Sequence, residues 1–263
     1  TTKTVSSIWT EGDAIGVTTA AGISKISYIM TDDRNVKYAY NAEKDVFQVV
    51  SKEGEDHTIY FKGPYTMSMT AYAPYTGERG TLAGVIQAST TSEKQVGTAR
   101  ATIDFLYAEG GGSQTNPRVE FQFFHKMSQL VLAFKAGGGL ELDDISYTLK
   151  NIILDGSFDT SAGSVALGKT TGNINMSLAK GKEMNSSVIV FPQKLASTLL
   201  LELAMGGKTY AQPIGNGIDL ISGNTYIFDV TIAPQSMTVS PAKIEDWIWG
   251  ENSDHYVIAG ESE

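Results

Sequence analysis

The sequence predicts an all-β fold built as two domains, and three observations carry that prediction. Short apolar stretches recur with a period of two and turn residues between them, the mark of half-buried strands. Composition agrees: 41% of residues are apolar and 19% charged, with 27 Gly and 12 Tyr, which suits strands and turns. The length of 263 residues lies near the size at which one core gives way to two.

The division falls in DFLYAEGGGSQTNPRVEFQFFHKMSQLVLAF, Asp104 to Phe134, where strand signals flank a Gly/Ser/Asn/Pro joint. After it Val119, Phe121 and Phe123 alternate with Glu120 and Gln122, and Leu130, Leu132 and Phe134 repeat the period. The expected domains are 1–117 and 118–263.

In chain order, Trp9 precedes a Glu-Gly-Asp turn, and Ala14, Ile15 and Val17 resume a strand. Strands are expected at Ile26–Ile29, Val36–Tyr40 and Val46–Val50; Ala42, Glu43 and Lys44 before the last also suit a helix start, but strand is preferred. Thr66–Ala73 alternates cleanly until Pro74. From Glu78 to Thr102 no period is sustained, so a long surface connection with one short strand at Gly84–Ala88 is expected. The Gly runs 110–112 and 137–139 read as flexible turns, and DGSFDTSAG, Asp155 to Gly163, as a turn.

The second half predicts strands around Ile145–Leu149, Val165–Leu167, Ile174–Leu178, Val188–Phe191, Leu199–Leu203 and Tyr210. The best signal is Tyr226, Phe228, Val230 and Ile232, and a last strand is expected over Met237–Ile244. The tail after Trp249 carries a small apolar centre, Tyr256, Val257 and Ile258, and such ends fray unless a sheet accepts them. No fixed-period repeat is present.

Function classes are narrowed mostly by exclusion. A formal net charge of -9, without any clustered Lys or Arg, sets aside nucleic acid and anionic lipid surfaces as partners. With no cysteine there is no disulfide framework, thiolate metal site or cysteine nucleophile. No apolar run reaches the ~20 residues of a membrane helix. The first residue is Thr1, not Met, so a signal or lipid-attachment segment is expected to precede it.

His57, His125 and His255 stand in unrelated contexts without ligand spacing, so no metal is expected. His125 continues the inward phase of Val119, Phe121 and Phe123 and reads as a hydrogen-bonded core residue. Asp155 and Asp159 lack the order of a calcium loop, and Asp143 and Asp144 read as a solvated turn. Neither a nucleophile elbow nor a phosphate loop occurs, so neither catalytic residues nor a cofactor are predicted. Trp247 and Trp249 alternate, so one packs inward while the other reaches a surface where an indole can stack on a sugar ring.

The ordered motifs WTEGDAIGV (Trp9 to Val17), AYAPY (Ala71 to Tyr75), DFLYA (Asp104 to Ala108), FFHKMSQLVLAF (Phe123 to Phe134), GSFDTSAG (Gly156 to Gly163), FPQ (Phe191 to Gln193), GNTYIFDVTI (Gly223 to Ile232) and MTVSPAKIEDW (Met237 to Trp247) span most of the chain. In that order they resemble the fimbrillin family, cell-surface pilus subunits of Bacteroides-type bacteria. The resemblance implies two tandem transthyretin-like β-sandwiches with a boundary near Arg118. It implies a non-enzymatic fimbrial subunit, stalk or tip/accessory adhesin, exported as a lipoprotein precursor to the cell surface and outer membrane. Its implied partners are other subunits, joined by strand exchange, and host or bacterial surface receptors.

In such assembly a first strand is removed or displaced, and the opened groove takes a strand from a neighbour. The residues expected near the assembly surface are Ile8, Trp9, Ile15 and Val17 at one end and Tyr256, Val257 and Ile258 at the other. An alternative of a different class is a surface lipoprotein that binds glycans through Trp247 or Trp249.

Overall fold

The computed structural model describes residues 9–19, 34–61, 66–181, 184–215, 217–247 and 256–258. Within them the chain is all-β. The expected strand Ile26–Ile29 lies outside these residues.

The first sheet has eight strands: β1 (Ala14–Thr19), β2 (Val36–Asn41), β3 (Val46–Val49), β4 (Met67–Ala73), β6 (Leu106–Gly112), β7 (Arg118–Glu120), β8 (Phe124–His125) and β20 (Tyr256–Ile258). Their spatial order is β7-β20-β3-β2-β1-β4-β6-β8. Inward residues of these strands and their flanks, among them Trp9, Ile15, Val17, Tyr38, Phe47, Met69, Leu106, Val119 and Phe121, form one core. The alternation of β2, with Val36, Tyr38 and Tyr40 buried between half-exposed neighbours, shows how a period of two assigns one face to that core.

The sheet curls until its ends approach. A side chain at Gly110 in β6 would lie 2.9 Å from the Glu120 carbonyl, and one at Gly112 would strike the Phe61 ring. The run Gly110–Gly112, expected as a flexible turn, is therefore strand, paired with Met67–Met69 and kept free of Cβ atoms by close approach.

The second half packs a four-stranded sheet, β13 (Thr171–Leu178), β10 (Ile145–Ile153), β15 (Leu200–Met205) and β16 (Lys208–Pro213), against a five-stranded one. The latter holds β14 (Asn185–Val190), β9 (Ser128–Ala136), β17 (Asn224–Ala233), β18 (Ser236–Val239) and β19 (Lys243–Asp246). Between them lie Leu130, Leu132, Tyr147, Leu149, Leu201, Leu203, Tyr226, Phe228 and Val230, contributed by facing strands as in a sandwich. At its centre β9 and β17 run parallel, with Thr225 opposite Gln129 and Ile232 opposite Ala136.

A small third sheet, β12 (Ser164–Leu167), β11 (Asp155–Asp159) and β5 (Val85–Ser89), brings residues from both sides of the joint together. Tyr72, Phe105, Tyr107, Phe158, Phe191 and Trp247 fill the core around it, with Phe105 stacked on Phe158 at 4.8 Å.

Two further expected elements differ. Asp155–Asp159 is strand rather than turn, because it is paired on both sides; only the residues after it turn, held by Asp159 Oδ1, which accepts from the Ser161 amide at 2.8 Å. The predicted strand Met237–Ile244 is two strands, interrupted at Ser240 and Pro241, where proline lacks the donor a ladder needs. The long connection after Glu78 carries β5 and two 3-10 turns, Ser92–Gln95 and Gly97–Thr102.

Candidate assembly site

The segment that distinguishes this fold is the short strand β20. It lies between β3 and β7, parallel to the first, with Tyr256 opposite Val46 and Val257 opposite Phe47. To β7 it is antiparallel, with Tyr256 opposite Glu120, Val257 opposite Val119 and Ile258 opposite Arg118. Without β20, two strand edges would face each other across a strand-wide slot with unpaired backbone groups on both sides.

The slot is apolar within and charged outside. Val119 is 0% exposed and Phe47 1%, so the register position of Val257 falls between two core residues. Arg118 and Glu120 flank Val119 on the outer face, 3.8 Å apart, with side chains 53% and 66% exposed.

Trp9 supports the slot from beneath. Its indole meets Phe47 edge-on at 4.9 Å and Phe123 at 5.4 Å. The turn after it fixes the ring's place, since Asp13 Oδ2 accepts from the Thr10 amide at 2.8 Å and Gly12 takes a φ of 87°, which favours glycine. At the start of β3 the Tyr40 hydroxyl donates to Asp45 Oδ1 at 2.6 Å. That bond, followed by burial, pushes the Tyr40 hydroxyl up to about 12.

Beyond β3 the chain turns through His57, whose Nδ1 lies 3.2 Å from the Val50 carbonyl and Nε2 2.8 Å from Glu55 Oε2. The bond to His57 holds the Glu55 carboxyl below its usual range.

Of the residues expected near an assembly surface, Trp9, Ile15 and Val17 belong to the core under this sheet, and Tyr256, Val257 and Ile258 form β20. Ile8 lies outside the described residues, as does Trp249. Trp247 is 5% exposed and stacks on His125, with centroids 3.8 Å apart and 6° between planes. Trp247 packs inward, and His125 covers one of its faces. His125 is a core residue whose Nδ1 is bonded to Asp104 Oδ1 at 2.6 Å. Among the described residues no group of three His, Asp or Glu could hold a metal ion, and no helix is long and apolar enough to cross a membrane.

Sequence reasoning did not find the partners of β20, because a three-residue strand has no period to read. Nor did it find Gln95 and Gln193, whose amides each clamp the N–H and C=O of one residue, Ile189 and Ile153 respectively. No local pattern distinguishes such a glutamine from one in solvent.

Residues 2–247 match the fimbrillin-like family. The chain belongs to that family. Its members are fimbrial and adhesion proteins of the cell surface, not enzymes. This fimbrillin-like chain is 27% identical to a Bacteroides uniformis protein provisionally named fimbrium subunit Fim1C, across 95% of this chain and 82% of that one.

Among solved structures it is similar to a protein of Bacteroides ovatus provisionally described as a cell adhesion protein. The two are 32% identical, with a TM-score of 0.82, over 95% of this chain and 92% of the other. A second protein so described, from Bacteroides uniformis, shares the fold at 24% identity and a TM-score of 0.71, over 91% of this chain and 93% of that one.

Proposed function

We propose that this fimbrillin-like chain is a structural or tip/accessory subunit of a cell-surface fimbria and joins its neighbours by strand exchange at the slot between β3 and β7. One observation carries the reading: the slot is filled by a segment from the far end of the chain, paired at only a few positions on either side. A strand joined to its sheet by so little backbone is the element most readily replaced by an equivalent strand from another subunit. The names of the relatives, fimbrium subunit and cell adhesion protein, support the same role.

Export as a lipoprotein precursor, attachment at the outer membrane and binding of surface receptors belong to this proposal, as does a division into domains 1–117 and 118–263. In it the first domain is completed by β7, β8 and β20 from beyond the joint, and the core around Phe105, Phe158 and Trp247 fixes one domain to the other. The glycan-binding alternative finds less support, since Trp247 is buried and already stacked.

The test uses the absence of native cysteine. Residues directly opposite in an antiparallel pair have Cα atoms about 4.5–5.5 Å apart, within disulfide range. The double variant Val119→Cys/Val257→Cys, oxidised, is expected to remain monomeric and to regain assembly on reduction. Filaments formed equally by the oxidised chain would exclude release of β20 from the assembly step. Independently, Val257→Asp/Ile258→Asp should leave the monomer folded and abolish assembly by its own tail.

A further inference from the structure

The geometry points to a binding site of a different kind in the second sandwich: a cavity between β10 and the segment 193–198 that takes a single acidic sugar, such as a uronic or sialic acid residue at the end of a surface glycan. The site is built from other strands than the slot between β3 and β7, so either reading can fail without the other.

The cavity opens where two neighbouring segments part and rejoin. Strand β15 pairs with β10 from Ala204 opposite Ser146 to Leu200 opposite Lys150. Just past Lys150 the register of β10 against β13 shifts, and Asn151 takes a φ of 65°, a conformation that Asn tolerates better than most residues. Such a bulge re-aims a side chain, and here Asn151 Nδ2 donates to the Thr198 carbonyl at 2.8 Å. A second fastening lies at Ile153, whose amide donates to Gln193 Oε1 and whose carbonyl accepts from Gln193 Nε2, each at 3.0 Å. Between the two fastenings lies a cavity of about 340 Å³. That is at the small end of the range for ligand pockets and suits one sugar residue.

The lining sets the class of ligand. Ile153, Leu195 and Ala196 supply an apolar portion on which the C–H face of a sugar ring can rest, whereas a hydrated inorganic anion gains nothing from such contact. Asn151, Thr171 and Thr198 supply an amide and two hydroxyls, which suit a ring of hydroxyl groups. The one charged residue of the lining is Lys194, and no carboxylate stands beside it there. The Thr171 and Thr198 hydroxyls and the Lys194 ammonium have no side-chain partner among the described residues. One cation without a counter-charge selects a ligand that carries one carboxylate. The buried Gln193 amide is fully engaged by the backbone, so it shapes the site and leaves recognition to the residues around it.

The experiment is an amide NMR titration of the full chain with the methyl glycosides of glucuronic acid and N-acetylneuraminic acid, with methyl glucoside as the neutral counterpart and sodium sulfate as the plain anion. At least one acidic sugar is expected to bind with a roughly millimolar Kd and to shift the resonances of Asn151, Thr171, Lys194 and Thr198. An exposed ion pair corresponds to roughly a 1.5- to fivefold advantage over the neutral glucoside. Lys194→Gln is expected to remove that advantage and keep the weaker binding, and Ala196→Trp, which fills the space from an exposed position, to abolish both. Shifts absent with both acidic sugars, or confined to other residues, overturn the site, as does undiminished binding by the Ala196→Trp chain. Equal affinity for the acidic and neutral sugars overturns the role of Lys194, and a response to sulfate alone overturns the sugar class.

Discussion

Gln95 shows how much can depend on one side chain at a sheet edge. Strand β14 pairs with β9 on one side, and on the other the Gln95 amide donates to the Ile189 carbonyl at 2.9 Å and accepts from the Ile189 amide at 2.8 Å. Arg100 extends this cover by donating to the Ser187 carbonyl at 2.7 Å. The 3-10 turns thus close an edge that would otherwise recruit foreign strands. Gln95→Ala leaves a buried donor and acceptor unpaired and is expected to cost about 1–3 kcal/mol, read as a lower urea midpoint. Aggregation should rise with it, measured by light scattering. In the sequence Gln95 sits in a featureless polar stretch, whereas His125 was readable as a core residue because it continued the phase of Phe121 and Phe123.

Among elements, strands with a period of two and at least one inward face were legible, β17 and β4 above all. Less so were strands defined by their neighbours: β11, which looks like a turn until β5 and β12 are placed beside it, and β20. The segment ending at Trp247 lies between these cases. Its amide donates to the Gly223 carbonyl at 2.7 Å, and its ring rests on His125, so one residue ties the end of β19 to both the second sandwich and the first sheet. Trp247→Ala should cost about 3–5 kcal/mol by leaving a cavity, whereas Trp247→Phe keeps an aromatic face and should cost less. Equilibrium denaturation separates the two, and equal losses would show that the stacking surface contributes nothing beyond volume.

For the whole molecule, buried tyrosines stand in all three cores, Tyr72 and Tyr107 in the one that joins the two halves, and this gives the fold a sharp alkaline limit. Burial pushes Tyr72, Tyr107 and Tyr147 up to about 12. Tyr40 reaches about 12 mainly through its bond to Asp45. Unfolded, these hydroxyls ionise near 10. A folded value above the unfolded one means that the stabilisation is fully present below pH ~10 and is lost as pH rises toward ~12. Absorbance at 295 nm should show these residues ionising late and together with loss of near-ultraviolet circular dichroism. Early, independent ionisation would mean that they are accessible in the native state. Composition foretold a β-rich molecule, but could not foretell such a joint, because its residues come from stretches far apart in the chain.

The parallel pairing of β9 with β17 has a consequence for the order of events during synthesis. Gln129 finds its partner Thr225 only after roughly a hundred further residues have been made, and such distant contacts form late. The seam of the second sandwich cannot close on a half-made chain, and β20, later still, cannot seal the first sheet. A nascent chain of this topology keeps these two seams open until β17 and β20 have been made, a state in which it can be threaded through a narrow channel before it folds.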